Sequence, residues 1–135
     1  MPRQDKPLKF FIDRSLGRGQ VPDGLRKLGL DIVTLAERYG IPADEGISDE
    51  TWLREAGRNG EIVLTKDYRI KSRPAELEAI KRNKVKCFCI SSANISADEM
   101  IERFQINLQR MIRASSANGP FLYVVHSKSI EKRDL

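Results

Sequence analysis

Two short apolar runs in this sequence each lead to an aspartate. Lys9-Phe10-Phe11-Ile12 stops at Asp13, and Ile62-Val63-Leu64-Thr65 is followed by Lys66 and Asp67. Neither run contains Gly or Pro, and the second reads as a strand buried on both faces of a parallel sheet. Ligands of open α/β sheets gather beyond the carboxyl ends of the strands, which is where both acids fall. If the two strands are parallel neighbours, their carboxylates emerge together. Two like charges about 4 Å apart repel by about 4 kcal/mol at an effective dielectric of about 20, so the pair needs something positive between them. A divalent cation would serve.

Asp49 supplies a third acid. Ser48 suits the N-cap of a helix over residues 49–58, and a helix that leads straight into the next strand runs antiparallel to it. Its first turn, with Asp49 and Glu50, is therefore expected at the same edge as Asp13 and Asp67. Carboxylates from three separate elements make an all-oxygen site suited to Mg²⁺ or Mn²⁺. Such an ion lowers the pKa of a bound water and stabilises the leaving oxygen of a phosphodiester, so no side-chain nucleophile is required. Arg14, Lys66, Arg69, Lys71 and Arg73 lie beside these acids in sequence and could hold phosphates, and Tyr68 offers a stacking face for an unpaired base. Each residue also has an ordinary explanation. Asp13 and Asp67 could simply start loops, Asp49 could be a first-turn acid favoured by the helix dipole, and the basic run 66–73 could be a solvated loop. Only their joint placement favours a metal. Gly17-Arg18-Gly19 lacks the length and the Lys-Ser/Thr ending of a phosphate loop; His126, Trp52 and Phe104 read as structural or core.

The elements that must position these acids alternate. Strands are expected at residues 9–13, 31–35, 62–65, 85–90 and 121–125, with helices at 22–28, 49–58, 74–83 and 96–116. The last helix opens on the capping-box pattern Ser96-Ala97-Asp98-Glu99 and repeats Ile101, Phe104, Leu108, Met111 and Ile112 at helical spacing, enough to serve a core or a homodimer interface. Residues 36–47, with Gly40, Pro42 and Gly46, are too broken for a long helix. Residues 1–8 and 127–135 read as loose ends. Alternating strands and helices predict one α/β domain spanning the chain, a three-layer α/β/α sandwich around a mainly parallel sheet of about five strands.

Bulk properties are compatible with this. The 135 residues are 40% hydrophobic and 32% charged, with a net charge of +5, so a polyanionic partner fits, either nucleic acid or an acidic protein segment. Cys87 and Cys89, two apart in one strand, would have Cα atoms roughly 6.6–7 Å apart, at or past the usual disulfide limit of about 6.8 Å; free buried thiols in a reducing compartment are expected. With one histidine there is no Cys/His zinc set. There is no signal-peptide core and no run near ~18 apolar residues, so a cytoplasmic location and no membrane contact are expected.

Two blocks, FFIDRSLG at residues 10–17 and SDETWLREAGRNGEIVLTKDYRI at residues 48–70, resemble the PIN-domain superfamily, most closely the compact PIN-like branch that includes VapC-type toxins of toxin–antitoxin pairs. The acid-led helix, then Ala-x-x-x-Gly, then an apolar strand into Thr-x-Asp is the more specific part. The resemblance implies a Mg²⁺- or Mn²⁺-dependent endoribonuclease with Asp13, Asp49 and Asp67 as metal ligands, and a cognate antitoxin protein covering the active-site edge. Larger PIN domains carry a further acid, often Glu, on a helical pair before the helix that begins here at Asp49. In this chain Glu45, Glu50 or Glu37 would have to substitute, or the site runs on three acids. Two other readings use the same features: a non-catalytic RNA- or protein-binding module of this fold, and a phosphoacceptor receiver domain. The receiver wants an acidic pair after the first strand, but Arg14 follows Asp13. A phosphatase of the Asp-x-Asp type is disfavoured because position 15 is Ser.

Overall fold

The computed structural model describes residues 8–66, 73–91 and 94–135. Its strands are β1 (Lys9–Ile12), β2 (Asp31–Thr34), β3 (Ile62–Thr65), β4 (Lys86–Ile90), β5 (Phe121–Val125) and β6 (Ile130–Arg133). Its helices are α1 (Gln20–Lys27), α2 (Leu35–Tyr39), α3 (Asp49–Arg58), α4 (Pro74–Arg82) and α5 (Ala97–Ser115), with single 3-10 turns at Arg14–Leu16 and Ala43–Gly46. The sheet order is β2-β1-β3-β4-β5-β6. The first five strands are mutually parallel and β6 is antiparallel to β5.

Strand alternation sorts the side chains into two cores. Phe10, Ile12, Ile62, Leu64, Phe88 and Ile90 point to the face covered by α1 and α5, where they meet Val21, Leu25, Met100, Phe104 and Met111. Phe11, Val63, Cys87, Cys89 and Leu122 point to the other face, against Leu35, Trp52, Leu53, Ala56, Ala79 and Ile80. Every residue of β3 is buried, as a central parallel strand requires. Burying one such side chain is worth about 1.5–3 kcal/mol, so these two layers hold the strand ends rigidly in place. Helices α3 and α4 approach so closely that a Cβ on Gly57 would lie 2.4 Å from the Asn83 carbonyl oxygen. Both cysteines are free and buried.

The three-layer sandwich is as expected, with two corrections. The sheet has six strands, because residues 127–135 are not a loose end. The chain turns back after β5, with the His126 N–H donating to the Ser129 carbonyl at 2.8 Å, and β6 pairs along β5. Glu131, Lys132 and Arg133 disguised it, since an edge strand can carry charges that a central strand cannot. The expected second strand also ran one residue too far. Thr34 and Glu37 form a reciprocal capping box that starts α2 at Leu35, directly out of β2.

Candidate active site

Between β1 and β3 the strand order reverses direction: β1 leads to β2 on one side, and β3 opens the other half of the sheet. Such a switch point leaves a crevice at the carboxyl ends of the two strands, the standard ligand position in open α/β sheets. Asp13 sits there, 7% exposed. It caps the 3-10 turn that follows β1 by accepting from the Ser15 N–H at 3.2 Å. The Ser15 hydroxyl donates to Oδ1 of the same carboxylate, and the Thr65 hydroxyl donates to Oδ2 at 3.0 Å. Ser15 Oγ in turn accepts from the Lys66 N–H at 2.9 Å, tying the end of β1 to the residue before Asp67. Burial pushes the Asp13 carboxyl up to about 6, against the pull of the Ser15 and Thr65 hydroxyls, and the negative charge of Asp49 pushes it the same way as burial.

Asp49 arrives from the opposite layer. The Ser48 side chain caps α3 by accepting from the Thr51 N–H at 3.1 Å, so Asp49 begins the helix at the sheet's carboxyl edge. Its Oδ1 accepts from the Trp52 indole Nε1 at 3.0 Å, and its Oδ2 lies 3.7 Å from an Arg73 nitrogen. Trp52 is itself fixed by stacking on Phe11, centroids 5.4 Å apart, so one carboxylate oxygen is oriented by the core. The sequence reading placed Trp52 in the core only. Its indole N–H also sets Asp49.

Comparison with known proteins gives the chain its family. Residues 8–92 match the model of the PIN like domain family. This chain belongs to that family. It is also 34% identical over 121 residues to a Mycobacterium tuberculosis protein named "Putative ribonuclease VapC45", covering 90% of this chain and 88% of that one. No solved structure matches.

Within this PIN-like frame the remaining sequence candidates separate. Asp67, Tyr68, Arg69 and Lys71 lie outside the described residues. Glu37 is committed to the α2 capping box and to Arg26, 2.6 Å away. Glu45, 67% exposed, faces Arg18 at 3.4 Å. Glu50 points into the groove between α3 and α4 beside Arg54 and Arg82. None of these three meets Asp13 in the way Asp49 does. Arg14 donates to the carbonyls of Asp44 and Ile47 at 2.8 and 3.0 Å. Arg73 faces Asp49 and Glu76. The Lys66 ammonium makes no ion pair among the described residues.

Among the described residues no group of three or more acids or Cys/His is close enough to hold a metal ion. Asp13 and Asp49 are two of the three acids expected, and the third is Asp67. The donor chemistry fits a hard divalent cation. It is all carboxylate and hydroxyl oxygen, and the buried Asp13 carboxylate makes no ion pair among the described residues. Sequence reasoning missed Ser15 and Thr65 as hydroxyl donors. A Ser two residues after an Asp, the local pattern in which Asp accepts from a nearby backbone N–H, was the available signal for the first.

No helix among the described residues is long and apolar enough to cross a membrane.

Proposed function

We propose that this chain is a divalent-metal-dependent endoribonuclease, hydrolysing RNA phosphodiester bonds as the toxin of a toxin–antitoxin pair. The observation that carries this reading is the Asp13–Asp49 carboxylate pair at the switch point, with Asp13 buried and making no ion pair among the described residues. The ribonuclease named among its relatives, matched over nearly the whole chain, supports the same reaction class.

Asp13, Asp49 and Asp67 would hold Mg²⁺ or Mn²⁺. The bound ion would supply a water of lowered pKa and charge for the leaving oxygen. The protein's own part is to fix the acids and bring the phosphate to them. Thr65 and Ser15 hold Asp13 in one orientation, and Trp52 holds Asp49. Lys66, with Arg69, Lys71 and Arg73, contacts the RNA backbone, and Tyr68 stacks on an unpaired base. A cognate antitoxin would cover this edge and keep the enzyme silent, and the working compartment is the cytoplasm.

The test is cleavage of a labelled structured RNA, such as a transfer RNA, in Mg²⁺, Mn²⁺ or EDTA, with wild type beside Asp13→Asn, Asp49→Asn and Asp67→Asn. Metal-dependent cutting that falls to background in all three variants is expected. Full cutting by any one of them removes that acid from the site, and full cutting by all three overturns the reading.

A further inference from the structure

The segment between α2 and α3 carries Asp49 to the site: its Ile47 packs against the core that holds Trp52, Ile41 is 66% exposed, and Asp44, in its middle, is buried at 1%. Polar contacts hold the rest of it. The Asp44 N–H donates to the Gly40 carbonyl at 2.8 Å. The Arg18 guanidinium donates to the Asp44 carboxylate from Nε at 3.1 Å and from Nη2 at 2.7 and 2.9 Å. Arg14 Nη2 bridges the Asp44 and Ile47 carbonyls. Ile47 is two residues before Asp49, and Arg14 is the residue after Asp13. One polar route from acid to acid is thus a single side chain, from Asp13 through Arg14 to Ile47 and on through Ser48 to Asp49, beside the core route through Phe11 and Trp52.

We propose that Arg14, Arg18 and Asp44 are positioning residues that set the separation of the Asp13 and Asp49 carboxylates, with Arg14 serving this staple rather than the RNA phosphates. The inference rests on the metal-site reading above, and its test separates the two. A guanidinium is suited to the task because its fixed fork of donors can satisfy two carbonyls, or one carboxylate twice over, in one plane. Outer groups of this kind typically change metal affinity or activity by about 10–100-fold when removed.

The variants are Arg14→Gln, and Arg18→Gln combined with Asp44→Asn so that no buried charge is left unpaired. Each is first shown to be folded at the working temperature by circular dichroism; if the double variant melts, Arg14→Gln alone decides. Trp52 is the only tryptophan, and its indole Nε1–H, bonded to Asp49, gives one resonance that reports on Asp49 directly. The expected result is a moved Trp52 indole resonance without metal and an Mn²⁺ dissociation constant raised about 10–100-fold by calorimetry. RNA affinity and its salt dependence in EDTA should be unchanged. An unmoved resonance with Mn²⁺ affinity within about twofold of wild type overturns the proposal. So does a log-log salt slope for RNA binding reduced by about one in Arg14→Gln, which would make Arg14 a phosphate contact. Wild type that binds Mn²⁺ yet cuts no RNA, with these shifts in the variants, would sink the nuclease reading and leave the positioning role standing. If wild type binds no Mn²⁺, the indole resonance decides alone.

Discussion

Asp13 and Asp44 are both aspartates buried close to the same short turn, and the chain treats them in opposite ways. Asp44 receives a fork of donors from Arg18, the geometry by which proteins neutralise a structural carboxylate. Asp13 receives only hydroxyl donors from Ser15 and Thr65, and burial, helped by the negative charge of Asp49, pushes its carboxyl up to about 6 against their pull. The difference teaches how to tell a structural buried acid from one kept for a ligand. Where the fold supplies the counter-charge, the acid holds the fold. Where the fold withholds it, the acid destabilises the empty protein and waits for a cation from outside.

The largest effect expected from that contrast is a difference of sign. Asp13 ordinarily titrates at 3.8 and here near 6, so the folded protein binds its proton more tightly than the unfolded chain. Whatever stability the protonated form gives is present below about pH 4 and lost as the pH rises through 6. The gap, at about 1.4 kcal/mol per pH unit, costs about 3 kcal/mol at pH 7. Asp13→Asn should therefore abolish cutting while making the metal-free protein more stable at pH 7, by about 1–2 kcal/mol after the loss of its charge-strengthened hydrogen bonds. The same change at Asp44 should destabilise by about 1–3 kcal/mol, because it dismantles hydrogen bonds to a charged partner. Urea unfolding in EDTA from pH 4 to 7 measures both. If the two variants shift stability in the same direction at pH 7, the contrast is broken.

A smaller test keeps Asp13 and removes one of its donors. Thr65 is fully buried and gives its hydroxyl to Oδ2, so Thr65→Val keeps the volume and deletes one bond that favours the ionised acid. Stability should fall by about 1 kcal/mol, and Mn²⁺ affinity by about tenfold, as for other groups that orient a metal ligand. Calorimetry showing unchanged Mn²⁺ binding would mean that Thr65 is packing alone.

These predictions mark how far the sequence can be read. β3, α3 and β5 lie at the expected residues, because apolar runs without Gly or Pro and a Ser48 cap are local signals. The positions of Asp13 directly after β1 and of Asp49 at the start of α3 follow from such signals, so where these acids stand in the fold was legible. The devices that distinguish Asp13 from Asp44 were not. Thr65 reaches Asp13 across 52 residues and Arg18 reaches Asp44 across 26, contacts that no local pattern announces. Glu45, and after it Glu37, looked available as a fourth acid, but Arg18 and Arg26 stand beside them. α2 and β6 were hidden for nearer reasons, the first behind a capping box with no gap after the strand, the second behind its own charges.

The smallest effect belongs to Lys66, the cation that directly follows β3 and whose N–H donates to Ser15 beside Asp13. If Lys66 neutralised Asp13, the contrast with Asp44 would be one of degree only. Among the described residues the largest influences on Asp13 are its own burial, Ser15, Thr65 and Asp49. Lys66→Gln should accordingly leave the Asp13 titration in place, read from the pH at which the fall in wild-type and variant stabilities in EDTA levels off. Its effect should appear on RNA instead. One lost phosphate contact lowers the log-log salt slope of binding by about one and weakens affinity most at low salt. A salt slope equal to wild type, together with an Asp13 titration displaced to higher pH, would reassign Lys66 from the RNA to the acid and make Asp13 a paired carboxylate like Asp44.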